Sequence, residues 1–304
     1  MSEAELLKSE SLTAEAQFES RVGLWDRLRG NSRRVLGIVV LLMFAVLIFL
    51  PFWWMLVTSF KPANLVFEYP PQFIPLEPTL NNYERTIGYQ GGVVGTWMLN
   101  SIIVAAIVTF GNLLVASWAG YALAKMNFPG RRTLFVALIV TMMIPGHVTL
   151  IPLYGLILRM GWIDTYTALT IPWIGQVFGI FLMKQFMQTL PSSLIDAARI
   201  DACSEWRIFW KIIMPMALPG IAVLGIFIFM SNWNSFIWPL VIMESREMTT
   251  IQVGLTLIRY QNVGFLDYSL LMATAVVAAV PMIVVFVLFQ RYFLTGLRLG
   301  ALKG

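Results

Sequence analysis

The chain has 304 residues, of which 58% are hydrophobic and 12% are charged, whereas a soluble domain usually carries roughly 25% charged residues. Its single cysteine and single histidine exclude a disulfide framework and a His/Cys zinc cluster. Its net charge of +5 is spread between apolar blocks instead of forming one basic stripe, so no nucleic-acid partner is expected. The composition therefore predicts an all-α, polytopic membrane bundle.

The apolar blocks are long enough for six transmembrane helices, since a span needs about 20 apolar residues. In chain order, the sequence predicts a cytoplasmic segment at 1–34, TM1 at 35–60, an external proline-containing loop at 61–96, TM2 at 97–124, TM3 at 133–157, TM4 at 165–187, a cytoplasmic loop at 188–216, TM5 at 217–242, TM6 at 269–293 and a cytoplasmic tail at 294–304. None of the six spans contains Asp or Glu.

The orientation of the bundle follows from the distribution of Lys and Arg. Sixteen of the 21 basic residues fall on the side that holds both termini and the 188–216 loop. Because cytoplasmic segments are enriched in Lys and Arg, this count predicts that both termini are cytoplasmic in a bacterial-type inner membrane.

The 188–216 loop has the pattern of a helix-turn-helix. Ser193 and Asp196 fit a capping box that begins the first helix, and Ala197 and Ala198 are expected to form an exposed ridge of small residues. Ser204 is expected to cap the second helix, which Pro215 would end. Two interpretations remain open at this point: a docking element that transmits rigid-body motion, or an interfacial helix pair that anchors to lipid.

The same loop resembles the signature of bacterial ABC importer membrane subunits, in which Glu-Ala-Ala is followed by Gly and then by Ile-x-Leu-Pro. The matching segments are Asp196-Ala197-Ala198, Asp201-Ala202 and Ile212-Ile213-Met214-Pro215. Asp196, Ala202 and Met214 depart from the pattern. The change from Gly to Ala matters most if Ala202 needs a positive φ, which alanine tolerates poorly.

Other segments resemble the carbohydrate-type permeases of that family. They are Ser59-Phe60-Lys61-Pro62, Asn81-Asn82-Tyr83, Tyr121-Ala122-Leu123-Ala124, Met143-Ile144-Pro145, Asn232-Trp233-Asn234 and Gly300-Ala301-Leu302-Lys303-Gly304. The resemblance implies a type I-like importer fold and an ATP-driven sugar or polyol importer. Its partners would be an ATP-binding subunit dimer, a second permease subunit, an extracytoplasmic solute-binding protein and membrane lipids.

In such an importer, Asp196 to Ala202 would form the coupling helix that docks in the ATPase, and Lys303 and Gly304 would contact the ATPase pair. The chain contains no G-x-x-x-x-G-K-[S/T] phosphate loop. We therefore expect a transport subunit that is not an enzyme and binds no cofactor itself, with ATP and Mg²⁺ held by the partner ATPase.

Candidates for substrate contact lie mainly in the fifth predicted span. Asn232 and Asn234 are amides in an apolar block, and Trp233 and Trp238 can stack on sugar rings. Because the two asparagines are two residues apart, helical geometry predicts that they face different sides and do not line one narrow path. Interhelical hydrogen bonding and aromatic packing remain an alternative explanation for all four residues. His147 is either a pathway residue or a structural residue at the Pro145 kink.

Two other function classes fit the residues less well. An ion-coupled secondary transporter would place carboxylates within the membrane, and the six spans contain none. An intramembrane hydrolase would need a Ser/His or paired-Asp constellation, and His147 has no acidic partner in the spans.

Overall fold

The computed structural model describes the backbone of residues 35–261 and 267–301 and the side chains of residues 35–260 and 267–290. Within this part of the chain, every regular element is a helix. The predicted cytoplasmic segment 1–34 and the tail residues Lys303 and Gly304 lie outside the described residues.

The chain divides into a unit of residues 1–57 and a unit of residues 58–304. The described part of the first unit belongs to helix α1 (Val35–Ser59), whose 25 residues span about 37 Å at 1.5 Å per residue. The side chains of its first two-thirds are exposed and almost all apolar. A helix of this length and surface is suited to a lipid environment.

The second unit is built from twelve further helices within the described residues. They are α2 (Asn81–Gly88), α3 (Val93–Lys125), α4 (Arg131–Thr141), α5 (Leu150–Arg159), α6 (Tyr166–Thr170), α7 (Val177–Gln188), α8 (Ser192–Ile200), α9 (Glu205–Met216), α10 (Leu218–Trp233), α11 (Ile237–Ile242), α12 (Ile251–Gln261) and α13 (Tyr268–Ala301). Short 3-10 turns lie at Ala63–Leu65, Tyr89–Gly91 and Ile171–Trp173.

Three helices within the described residues are long and apolar enough to cross a membrane unbroken: α1, α3 and the Tyr268–Gln290 part of α13. Two bent pairs pass the same test as broken spans, one at residues 166–188 with a 42° bend and one at residues 205–233 with a 76° bend. The third predicted span, 133–157, is instead two shorter helices, α4 and α5, separated by residues 142–149. Pro145-Gly146 lies in this interruption, because proline removes a backbone N–H and its ring clashes with the preceding helical turn, so the predicted span is not one continuous helix.

Helix α3 lies at the centre of the second unit and packs against α7 and α10. Glycines allow close contacts with α7 from both neighbours: a Cβ at Gly120 of α3 would lie 2.7 Å from Met183 Cβ, and one at Gly220 of α10 would lie 2.6 Å from Phe186 Cγ. The glycines therefore let the helices approach more closely than any other residue would. The buried core formed here includes Tyr121, Ile195 and Phe209, so it joins α3 to the loop helices α8 and α9.

Candidate functional site

Two parts of the second unit carry functional features: the helix pair α8–α9 and a cavity between the interrupted helices. The pair α8–α9 confirms the predicted helix-turn-helix pattern. The predicted capping box is wrong, because α8 begins directly after Pro191 and has no side-chain cap. Both serines lie in its first turn, and Lys125 Nζ instead donates to Leu190 O at 2.6 Å and to Ser192 Oγ at 3.1 Å.

Helix α8 has two different faces. Ile195 and Ala198 are buried in the core, and Ala198 is only 7% exposed. Asp196 and Ala197 are exposed, and Ile200 is 85% exposed. The expectation that both alanines form an exposed ridge is therefore wrong for Ala198, which points inward. The exposed surface of α8 includes Asp196, Ala197 and Ile200.

The end of α8 is a Schellman motif. The Cys203 N–H donates to Ala198 O at 2.9 Å, and the Ala202 N–H donates to Arg199 O at 3.0 Å. Ala202 has a φ of +55°, the left-handed conformation that glycine usually supplies at this position. The departure from glycine therefore falls on a position that needs a positive φ.

The start of α9 is as expected, since Ser204 Oγ accepts a hydrogen bond from the Arg207 N–H at 3.3 Å. Its end is not, because α9 continues through Pro215 to Met216 and the chain then bends by 76° into α10. A π-helical stretch, Phe209–Ile213, precedes Pro215. Such a stretch shifts the hydrogen-bond register, which is how a helix accommodates a proline that has no N–H.

The α8–α9 corner is tied to α3 by side chains. Tyr121 of α3 donates its hydroxyl hydrogen bond to Glu205 Oε2 at 2.6 Å. Arg199 Nε donates to the other carboxylate oxygen, Oε1, at 2.7 Å. The sequence analysis named Tyr121 only as part of a family-like segment and did not predict its contact with Arg199 or Glu205. The available signal was a tyrosine one turn before the end of an apolar helix.

The second feature is a cavity of about 940 Å³ that lies where three helices are interrupted. The interruptions are residues 142–149 between α4 and α5, 174–176 before α7, and 234–236 between α10 and α11. Each of these segments contributes lining residues. Irregular backbone at membrane depth is tolerated where it lines such a cavity, because its polar groups need partners there.

The cavity wall is mainly apolar and carries a group of amide and hydroxyl side chains. Ser231, Asn232, Asn234 and Ser235 line it together with Gln176. Both asparagines contribute because α10 ends at Trp233, so helical spacing no longer separates them. The expectation that they cannot share one path is therefore wrong. Each amide donates to the carbonyl four residues earlier, at 2.8 Å for Asn232 and 2.9 Å for Asn234, and not to a neighbouring helix.

The aromatic candidates separate into two groups. Trp238 lines the cavity, donates its Nε1–H to Ala168 O at 2.9 Å and packs edge-to-face on Trp173, another lining residue. Trp233 is 2% exposed, stacks on Phe229 and is absent from the cavity wall. Trp233 is thus a packing residue in this structure, because its ring belongs to the core between α10 and α13.

His147 lies in the interruption between α4 and α5, is exposed, and lines the cavity. Among the described residues that line the cavity, none is Asp, Glu, Lys or Arg. The arrangement offers amides, hydroxyls, aromatic edges and one imidazole. These groups can hydrogen-bond a polar, uncharged solute.

The interruption before α7 is held by Asn112 of α3, which is completely buried. Its Oδ1 accepts from the Gln176 N–H at 2.8 Å, and its Nδ2 donates to Trp173 O at 2.7 Å. One amide therefore satisfies backbone groups on both sides of the break. The sequence signal for this role was a lone amide in the middle of an apolar helix.

A carboxylate fixes the loop that follows α11. Asp164 Oδ1 accepts hydrogen bonds from the Glu244 and Ser245 N–H groups, both at 3.1 Å. Partial burial alone would raise the pKa of Asp164. The hydrogen bonds from Ser245 and Glu244 together lower the pKa by more than burial raises it, so the net pKa is below its ordinary value. The loop is thus held by an ionised carboxylate.

The comparisons with known proteins agree with this architecture. Residues 112–299 match the family described as binding-protein-dependent transport system inner membrane component. The chain belongs to this family. It is accordingly a membrane permease subunit of a binding-protein-dependent transport system, and not an enzyme.

Individual relatives are similar over most of their length. The permease is 36% identical over 254 residues to the arabinooligosaccharides transport system permease protein AraQ of Halalkalibacterium halodurans, covering 82% of this chain and 89% of the relative. It is 30% identical over 268 residues to the sn-glycerol-3-phosphate transport system permease protein UgpE of Brucella abortus, covering 86% of this chain and 95% of the relative.

The fold of the permease is also similar to that of a solved structure. A chain of a bacterial ABC transporter involved in the import of the acidic polysaccharide alginate matches with a TM-score of 0.78 and 24% identity, covering 86% of this permease and 98% of that chain. This likeness shows the fold, which is the type I-like importer bundle expected from the sequence.

Proposed function

We propose that this permease is one of two membrane subunits of an ATP-driven importer of an uncharged saccharide or polyol in the cytoplasmic membrane. Both termini are cytoplasmic, and the chain crosses six times, with α4 and α5 together forming the third crossing. The excess of Lys and Arg on the side of the termini supports this orientation. The observation that carries the proposal is the cavity at the three helix interruptions, where amides, hydroxyls and tryptophans line the wall and the described lining residues include no Asp, Glu, Lys or Arg.

The lining, which is mainly apolar and includes no described Lys or Arg, favours an uncharged solute over an anionic one. AraQ is described as a permease for arabinooligosaccharides, and UgpE as one for sn-glycerol-3-phosphate. Importing a phosphate or a uronate through this cavity would desolvate a charge without a cationic partner among the described lining residues. Amides and hydroxyls, with Trp238 and Trp173 as aromatic surfaces, suit a sugar better. In this role Asn232, Asn234, Trp238 and His147 border the substrate pathway.

Energy enters through the exposed face of α8. Asp196, Ala197 and Ile200 form a small, partly apolar surface on a helix whose opposite face is packed in the core. Ile200 adds a highly exposed apolar side chain to this surface. In this proposal the face seats in a partner ATPase, which holds ATP and Mg²⁺, and Asp201, Ala202 and Pro215 shape the element that carries it. Lys303 and Gly304 would approach the same ATPase pair.

The partners are an ATP-binding subunit dimer, a second permease subunit that completes the cavity, an extracytoplasmic solute-binding protein and lipid. The family description, which names a binding-protein-dependent system, supports the solute-binding protein. The first test is to isolate the permease from its native membrane in mild detergent and identify the co-purifying proteins. An ATPase with a phosphate loop and a second multispan subunit are expected. Recovery of the chain alone, with uptake that needs an ion gradient, would instead favour a secondary transporter.

The second test addresses the cavity. Asn234→Leu replaces an exposed lining amide with an apolar group of similar size. We expect it to reduce uptake by the reconstituted complex without changing assembly. Asn127→Leu makes the same change at an exposed position between α3 and α4 and should leave uptake intact. Equal uptake kinetics in both variants and the wild type would remove the cavity from the transport pathway.

A further inference from the structure

One carboxylate joins three helices at the α8–α9 corner. Glu205, the first residue of α9, accepts from Tyr121 of α3 through Oε2 at 2.6 Å and from Arg199 of α8 through Oε1 at 2.7 Å. Both oxygens of the same carboxylate are therefore used. Each of the three residues comes from a different helix, so none can move independently without breaking a short hydrogen bond.

The α3 end of this chain of contacts is rigid. Tyr121 is 4% exposed, and its ring packs on Phe209 with centroids 5.5 Å apart. The neighbouring Gly120 brings α3 so close to α7 that a Cβ there would lie 2.9 Å from the Lys184 backbone nitrogen. Displacement of the Tyr121 hydroxyl must therefore carry α3 and α7 together, because close-packed helices have no free space in which to slip.

The α8 end is different, because it is largely open to water. The Arg199 and Glu205 side chains are 39% and 42% exposed. Ion pairs as exposed as this contribute little to the stability of a fold. The two short hydrogen bonds to one carboxylate therefore have their main effect on geometry, by fixing the angle of α8 relative to α3.

We propose that Arg199, Glu205 and Tyr121 form a mechanical link that delivers the ATPase-driven movement of α8 directly to α3. The inference rests on the proposed docking of α8. Without the link, movement of α8 reaches the bundle along the chain, through residues 189–191 and through α9, and through contacts at the start and buried face of α8. Those contacts are the Lys125 hydrogen bonds to Leu190 O and Ser192 Oγ and the packing of Ile195 and Ala198 in the core. All three are positioning residues: none lines the cavity, Tyr121 and Glu205 lie outside α8, and Arg199, which also pairs with Asp196 of the docking face at 3.7 Å, acts through Glu205.

The test uses the complete complex in proteoliposomes and measures ATP hydrolysed per solute imported. Tyr121→Phe keeps the ring against Phe209 and removes only the hydroxyl. We expect ATP hydrolysis to continue while uptake falls several-fold, so the ratio of ATP to solute rises. A role confined to stability would instead lower the yield of assembled complex and leave this ratio unchanged.

Tyr166→Phe is the matched control, because it removes a tyrosine hydroxyl that donates to Asn100 at the opposite end of α3, at 2.5 Å. Its ratio should equal that of the wild type. If Tyr121→Phe fails to assemble, Glu205 supplies the test at a more exposed position. Glu205→Ala should raise the ratio of ATP to solute at least as much as expected for Tyr121→Phe, because it removes both hydrogen bonds. Glu205→Gln keeps one accepting oxygen, so its ratio should lie between those of the alanine variant and the wild type.

The double variant Tyr121→Phe with Arg199→Ala separates a link from two independent contacts. In one link, breaking either contact interrupts the same path, so the double variant should be no worse than the more severe single variant. The inference would be overturned if the double variant raised the ratio of ATP to solute by the product of the two single effects. It would also be overturned if Tyr121→Phe and Glu205→Ala both kept the wild-type ratio. In either case, ATP-driven uptake by the wild type would still support the proposed function. Absence of ATP-driven uptake by the wild type would overturn the proposed function, and the link with it.

Discussion

Replacing Ala202 with glycine should stabilise the end of α8. Ala202 has a φ of +55° at the left-handed position of a Schellman motif. An L-residue in this conformation is strained by roughly 1–2 kcal/mol. Glycine removes that strain but loses roughly 0.4–1 kcal/mol through the greater freedom of the unfolded chain. The net gain should be about 0.5–1 kcal/mol, with no change in packing because Ala202 is exposed.

Hydrogen exchange followed by mass spectrometry measures this effect locally in the assembled complex. A gain of 0.5–1 kcal/mol corresponds to amide exchange in the 192–203 peptide that is about two- to fivefold slower, if α8 opens as a unit. Ala197→Gly is the matched control, because it makes the same change at an exposed helical position of α8. There glycine should speed exchange, since it destabilises a helix interior by about 0.5–1 kcal/mol.

The sign of the difference decides whether the reasoning is correct. Ala202→Asn should also slow exchange, because asparagine tolerates the left-handed region, and Ala202→Val should accelerate it. If Ala202→Gly exchanges as fast as Ala197→Gly, the positive φ is not a source of strain, and the departure from glycine has no energetic consequence.

Three further predictions follow from contacts described above. Ala197→Trp should uncouple uptake while leaving subunit yield intact, whereas Ala198→Trp should lower the yield, because overpacking a buried site destabilises by about 1–3 kcal/mol; equal yields would contradict the assigned faces of α8. Asp164→Asn keeps an acceptor but removes a carboxylate whose pKa is lowered on folding. The wild type should therefore be more stable at neutral pH and lose this advantage below about pH 4, as melting curves at several pH values would show. Gly120→Ala should abolish a monodisperse complex on size exclusion, while Gly155→Ala, which meets no atom within 4 Å, should not.

Local structure was predictable from the sequence where a single residue or a single apolar block determines it. Ser204 capped α9 as expected because a serine oxygen before a helix satisfies a backbone N–H whatever surrounds it. The long apolar blocks became α1, α3 and α13 for a similar reason, since their length and composition suit a membrane irrespective of their neighbours.

The direction in which a side chain points and the positions at which helices break were not predictable from residue spacing. Helical periodicity placed Asn232 and Asn234 on different sides, but the helix ends between them and both border the cavity. Ala197 and Ala198 have identical side chains, so only the packing of α8 against α3 and α9 distinguishes the exposed one from the buried one. A sequence pattern states which residues are small or polar, whereas tertiary contacts decide where they point.

Long-range polar partners were beyond sequence reasoning for a related reason. Asn112 serves a break that follows it by more than sixty residues, and Glu205 binds a tyrosine 84 residues earlier. Neither pairing leaves a local pattern. The useful signal in both cases is a polar side chain within the apolar helix α3, Asn112 or Tyr121, which must find a partner because an unpaired buried polar group is costly.

The central claim is that the energy for transport enters this permease through the exposed face of α8. The most direct measurement is site-specific photo-crosslinking in the assembled complex, with the same crosslinking residue placed at position 197 and, separately, at 198. Position 197 should capture the ATP-binding subunit, and position 198 should react only within the permease. Capture of the ATPase from 198 but not 197, or from neither position in a complex that still imports solute, would contradict the claim.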